Sequence, residues 1–205
     1  MKRTFTLLFA ALLLATSAFS QLRVGILGGG HQSNILETND LPNWNDIKKN
    51  YSPRTGVHFG MVADLPFTKK GTFCFQPGVE FYHKGRKYSE IMDTTFHDTL
   101  SLNRSEFLNY IDIPLNLVLK LPLGKNVKFI LGGGPYFSFF FDGYQKTETI
   151  SKGGAYYVDE ILDPPVGKGP GKYTSYDYGL NGLAGFEIGR VSLTANYSRG
   201  FKNIY

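Results

Sequence analysis

The chain has 205 residues, rich in Gly (24), Phe (17) and Tyr (13) but carrying one Trp and one Cys. Its formal net charge of +5 is too mild a balance to argue for nucleic acid as a partner. A lone cysteine, Cys74, excludes an intramolecular disulfide framework.

Met1-Lys2-Arg3 is a basic start, Leu7 to Ala15 is an unbroken apolar run, and Ala18-Phe19-Ser20 has the small-x-small form of a cleavage site. That order predicts a secretory signal peptide over residues 1–20. The run falls short of the ~20 apolar residues of a spanning helix, and no later stretch reaches that length. Residues 21–205 are then one exported domain.

Alternation with a period of two runs through this domain and predicts strands. Leu22, Val24 and Ile26 face away from Arg23 and Gly25. Val57, Phe59, Met61, Ala63 and Leu65 oppose His58, Gly60, Val62 and Asp64. Phe73, Phe75, Pro77, Val79 and Phe81 oppose Cys74, Gln76, Gly78, Glu80 and Tyr82. Ile111, Ile113, Leu115, Leu117, Leu119 and Leu121 oppose Asp112, Asn116 and Lys120. Val127, Phe129, Leu131, Phe137, Phe139 and Phe141 share a face. Leu180, Ala184, Phe186 and Ile188 oppose Asp177, Asn181 and Glu187, and Val191, Leu193, Ala195 and Tyr197 oppose Ser192, Thr194 and Asn196. This makes seven strands.

One face is apolar over ~9–11 residues per strand, the span of a tilted strand crossing a bilayer. The other is small and polar. A secreted lipocalin-like ligand-binding barrel would have the opposite arrangement, apolar within and polar without. The links alternate between long (30–54, 85–105, 142–174) and short (66–71, 122–126, 189–190), the rhythm of an outer-membrane barrel with short periplasmic turns and long external loops. Leu65-Pro66-Phe67-x-Lys69 and Leu121-Pro122-Leu123-x-Lys125 repeat one turn-plus-strand pattern. The reading is all-β: an antiparallel up-and-down transmembrane barrel of the Gram-negative outer membrane, in contact with its lipid.

Gln76-Pro77-Gly78, Tyr110-Ile111-Asp112-Ile113-Pro114-Leu115, Gly132-Gly133-Gly134-Pro135-Tyr136, Asp177-Tyr178-Gly179-Leu180 and Asn196-Tyr197-Ser198-Arg199-Gly200 occur in this order. Over roughly residues 21–205 this resembles the PorT family of outer-membrane β-barrels. The resemblance implies a small OmpA/OmpX-like barrel of eight strands. It also implies a link to protein secretion, since a founding member serves a secretion and gliding system. Against seven counted strands, the expectation is that the C-terminal closing strand is missing, or that Ala155-Tyr156-Tyr157-Val158 hides it.

No cofactor or metal site is expected. Gly28-Gly29-Gly30 is not followed by a helix, and Tyr173 stands where a phosphate loop needs Ser or Thr. His31, His58, His83 and His97 lack ligand spacing. Inward-facing charge is the main constellation. Arg23, Asp64, Lys120, Lys128 and Glu187 belong near the periplasmic end, with His58, Glu80, Asp112, Asn116 and Asn181 at mid-height, as a lumen network that plugs a narrow barrel. Outside, residues 31–53, 86–104 and 142–173 are the expected recognition loops, with Trp44, Tyr51, Tyr156 and Tyr157 as contacts for another surface or secretion protein. Tyr136, Tyr144 and Tyr176 are assigned to the interfacial girdle. A rim enzyme built from His83, Ser89, Glu90, His97, Asp98 and Ser101 is the alternative. The spacing selects no triad, and the expected activity is non-enzymatic.

Overall fold

A strand whose side chains alternate must bury one face and give the other to a different medium. In a computed structural model, which describes residues 22–35, 42–68, 70–93, 99–151, 157–163, 166–167 and 172–202, the chain does this in nine strands. These are β1 (Arg23–Ser33), β2 (Tyr51–Pro66), β3 (Phe73–Lys84), β4 (Arg86–Asp93), β5 (Thr99–Pro122), β6 (Val127–Ser151), β7 (Tyr157–Leu162), β8 (Tyr176–Ile188) and β9 (Val191–Gly200). A one-turn helix, α1 (Trp44–Ile47), precedes β2. The proposed signal peptide lies outside the described residues.

All pairs are antiparallel, and the sheet runs β1-β2-β3-β5-β6-β8-β9. These are the seven strands read from the alternation. Their registers place the apolar sets together: Ile26 lies opposite Met61, Phe59 opposite Phe81, Phe75 opposite Leu117, and Phe129 opposite Phe186. The sheet curls. Lys120 on β5 holds Asp64 on β2 and Glu187 on β8 at once, although those strands lie four pairings apart, about 19 Å in a flat sheet. Six antiparallel steps leave β1 and β9 running in the same direction, and among the described residues these two edges are not paired with each other.

The curl puts the small and polar face inside. Ile26 is 87% exposed, Leu193 79% and Phe141 66%, whereas Asn116 is 3%, Lys120 5% and Asp112 7%. Among the described residues the interior holds two small apolar clusters, one of Cys74, Val118 and Ile130 with Leu183, the other of Leu108, Tyr110 and Tyr173 with Ile35, Phe140 and Val166. Each large apolar side chain left in water forgoes about 1.5–3 kcal/mol of burial, so an outer face of this composition is stable only against lipid.

The short links 67–72, 123–126 and 189–190 gather at one end. At the other end the strands outrun the bilayer. β5 has 24 residues and β6 has 25, more than twice the ~9–11 that a crossing needs. Of the described residues in 85–105 and 142–174, expected as loops, most are strand. β4 pairs with β5, and β7 pairs with β6 from Gln145 to Ile150. The result is a four-stranded platform, β4-β5-β6-β7, beyond the apolar band. Tyr157 and Val158 do belong to a strand, but β7 joins the platform and not the barrel path; Ala155 and Tyr156 lie outside the described residues.

The junction is built by two irregularities. A register shift at Asn109/Tyr110 leaves Phe141 as an extra residue on β6 and bends that strand. Gly85, at φ +143°, turns β3 into β4, and a Cβ there would stand 1.9 Å from the Glu106 carbonyl oxygen. The turn exposes carbonyls that neighbouring side chains satisfy. Arg54 donates to those of His83 and Lys84 at 3.1 and 3.0 Å, Ser33 donates to that of Gly85 at 3.0 Å, and the His31 ring meets that of His83 at 3.0 Å.

Candidate functional site

The inward side chains stack into three polar layers. The lowest, nearest the short turns, is an alternating chain of charges. Lys120 bonds Asp64 and reaches Glu187 at 2.8 Å, Lys128 holds the other Glu187 oxygen at 2.5 Å, and Gln76 donates to Asp64 at 2.7 Å. Buried charges persist only when paired and hydrogen-bonded, and each carboxylate here has two donors. Arg23 lies opposite Asp64 and lines the same interior. Cys74 fills the space beside Asp64 and the Val118 carbonyl.

The middle layer centres on Lys84. Its ammonium meets Asp112 at 2.6 Å and donates to Ser138 at 3.1 Å, while Ser138 bonds Asp112. Three tyrosine rings surround it: Tyr82, Tyr110 and Tyr136 have centroids at 5.2, 5.1 and 5.5 Å. His58 stacks on Tyr82 at 4.7 Å and approaches His31 at 3.4 Å. Glu80, 9% exposed, bonds Tyr82. Asn116 and Asn181 flank Gly134 in one register row, each with its side-chain oxygen buried and unbonded by protein. All ten residues of the expected lumen network line the interior, and four of them, Asp64, Lys120, Lys128 and Glu187, bond one another directly.

The upper layer lies where the barrel becomes the platform. Arg86 pairs with Glu106 at 3.0 Å, and Tyr173 donates to the same carboxylate at 2.5 Å. Tyr173 is 1% exposed and sits in the upper apolar cluster. A segment expected as free external loop therefore reaches back into the mouth. A cavity of about 1990 Å³ is lined by residues of the lower and middle layers and by β1 and β9.

Sequence reading missed Lys84, Arg86, Glu106 and Tyr173. Lys84 was legible, since it continues the parity of Cys74, Tyr82 and their neighbours by two residues. Tyr136 is corrected: it points inward at 5% exposure, and its hydroxyl donates to Asp177 at 3.0 Å. Tyr144 and Tyr176 stand on the outer face as expected, at 40% and 51% exposure. His31 and Arg54, placed in a loop by sequence, sit in β1 and β2.

On the platform, Trp44, Tyr51 and Tyr88 form a ladder of tilted rings with centroids 6.1 and 4.9 Å apart, and the Arg86 guanidinium lies 4.2 Å over Tyr51. Burial, then its hydrogen bond to Glu90, pushes the Tyr88 phenol up. Lys49, 2.8 Å from Asp46, holds that carboxyl below its usual range. Tyr157 lies opposite Ile150, and Tyr156 falls outside the described residues. Of the rim set, His97 and Asp98 also fall outside. His83 is edge-on to Phe81, Ser89 and Ser101 are bridged by Asn103, and Glu90 is bonded by Tyr88. Among the described residues, no three or more His, Cys, Asp or Glu are grouped to hold a metal ion.

Apolar outside, charge-layered inside, with short turns at one end and extended strands at the other, the architecture agrees with a family comparison. The model of the outer membrane protein β-barrel domain matches residues 15–205. The chain belongs to that family. No curated protein and no solved structure matches it. As a member, it is an outer-membrane β-barrel protein, and its exposed apolar band is the lipid contact.

Proposed function

We propose that this barrel is a non-enzymatic accessory of the cell surface, acting through its external platform on another surface or secretion protein. The observation that carries the reading is the extension of β5 and β6 into a four-stranded sheet with β4 and β7. A chain that only had to cross the bilayer has no use for strands of this length. Extended strands hold a contact surface more rigidly than loops do, and an aromatic cluster such as Trp44, Tyr51 and Tyr88 has the composition of interface anchors. The motif order shared with PorT-like barrels supports a role in export. The ion-paired lower layer argues against free solute flow through the lumen.

The test replaces residues 146–161 with a two-residue Asn-Gly turn, removing the β6–β7 hairpin and leaving the barrel strands. Heat-modifiable gel mobility should persist, showing an intact barrel, while secretion of exported proteins to the cell surface falls at least several-fold. Unchanged secretion with the platform removed would overturn the proposal. A rim enzyme instead predicts lipid or peptide turnover by the purified barrel that is lost on His83→Ala.

A further inference from the structure

Two neighbouring strands carry the same short motif in opposite directions. Gly29-Gly30-His31 lies on β1 and Gly56-Val57-His58 on β2. The antiparallel register sets each histidine against the other strand's glycine, His31 opposite Gly56 and Gly29 opposite His58. This exchange makes room for both rings: a Cβ at Gly29 would stand 2.9 Å from His58 Cε1, and one at Gly56 would stand 2.8 Å from His31 Nε2. The two imidazoles meet diagonally across the strand pair, with Nδ1 of His31 3.4 Å from Nδ1 of His58. They are 27 residues apart in the chain, so local ligand spacing does not reveal them.

Both rings are held from behind. His31 Nε2 lies 3.0 Å from the His83 carbonyl oxygen. A carbonyl only accepts, so this nitrogen carries the proton, and Nδ1 of the neutral ring presents a bare lone pair. Metal-ligating histidines are oriented in this way, by a hydrogen bond from the second ring nitrogen. His58 lies flat on Tyr82, at 4.7 Å and 13°, and His31 is tilted against the same ring at 5.0 Å. The separation of the two Nδ1 atoms is longer than the about 2.7–3.2 Å of a good hydrogen bond. It matches two nitrogens on one tetrahedral ion, which at bonds of about 2.0–2.1 Å stand about 3.3–3.4 Å apart. Adjacent nitrogens on a square-planar ion would stand only about 2.8–3.0 Å apart.

The geometry points to a site for a tetrahedral divalent ion of zinc type between His31 and His58, on the inner face of β1 and β2 beside the turn at Gly85. Imidazole nitrogen suits zinc, whereas calcium and magnesium seek oxygen. Among the described residues no third His, Cys, Asp or Glu is grouped with the pair. The ion therefore completes its shell with solvent from the cavity, which both rings line. Binding needs the His58 proton on Nε2, a change of tautomer that releases no proton. Positions left to solvent are positions an incoming ligand can take.

The test titrates the full chain, untagged and refolded in phosphatidylcholine nanodiscs, with zinc chloride against a zinc indicator. Zinc should bind saturably, and a large excess of magnesium should not displace it. His31→Gln and His58→Gln should each weaken binding at least ten-fold, and the double variant should lose no more than either single one. Heat-modifiable mobility confirms that each variant is folded. In the unsubstituted protein, nitrogen-15 spectra of labelled histidine should show the Nδ1 resonances of two rings changing together as zinc is added. Absence of saturable binding, displacement by magnesium, binding indifferent to either substitution, or coordination through Nε2 overturns the site and leaves the two rings as a hydrogen-bonded pair. None of these results bears on the platform.

Discussion

Replacing Lys120 by Met tests whether the lowest layer is a dry ionic plug. The Lys120 ammonium is shared by Asp64 and Glu187, and the residue is 5% exposed. Breaking a buried ion pair from one side costs about 3–5 kcal/mol, because the remaining charge stays desolvated. Here the stranded groups keep one donor each, Gln76 at 2.7 Å for Asp64 and Lys128 at 2.5 Å for Glu187. The loss should therefore fall at the lower end, about 3 kcal/mol. Methionine matches the length of the lysine stem, so no cavity term enters. Urea unfolding from lipid vesicles, read by gel mobility, should show a lowered midpoint at unchanged slope. Adding Glu187→Gln should recover part of the loss, since one stranded charge is removed. A loss below about 1 kcal/mol, the value of an exposed pair, would refute the plug and show the layer to be solvated.

Two substitutions test the membrane face and the platform junction. Leu117→Arg, in the middle of the outer apolar band and 49% exposed, should cost about 2–4 kcal/mol in a bilayer; a change within about 0.5 kcal/mol, as for an ordinary water-facing site, would refute lipid contact at this position. Gly85→Ala should cost about 1–3 kcal/mol through its positive φ and the Glu106 carbonyl in its path. Gly124→Ala, with nothing within 4 Å of the added Cβ, should stay within about 0.5 kcal/mol. Both are measured by the same unfolding assay.

The sequence alone determined the strands of the barrel, their inward and outward faces, and the positions of the short turns. The physical reason is local: a strand's side-chain parity is two, so once Ile111 faces lipid, Asp112, Asn116 and Lys120 must face the lumen. Parity likewise placed His58, Glu80 and Glu187 inside. It could not say which inward charges meet, because Lys120 bridges strands whose partners lie 56 and 67 residues away, and only the curl of the sheet brings them together. Nor could it see the platform. Residues 86–93 and 157–162 show weak alternation and become strands by pairing with the free lengths of β5 and β6. Tyr173 is the plainest case, since nothing in Lys172-Tyr173-Thr174 marks a buried residue, and its burial exists only because Leu108, Tyr110 and Glu106 converge at the barrel mouth.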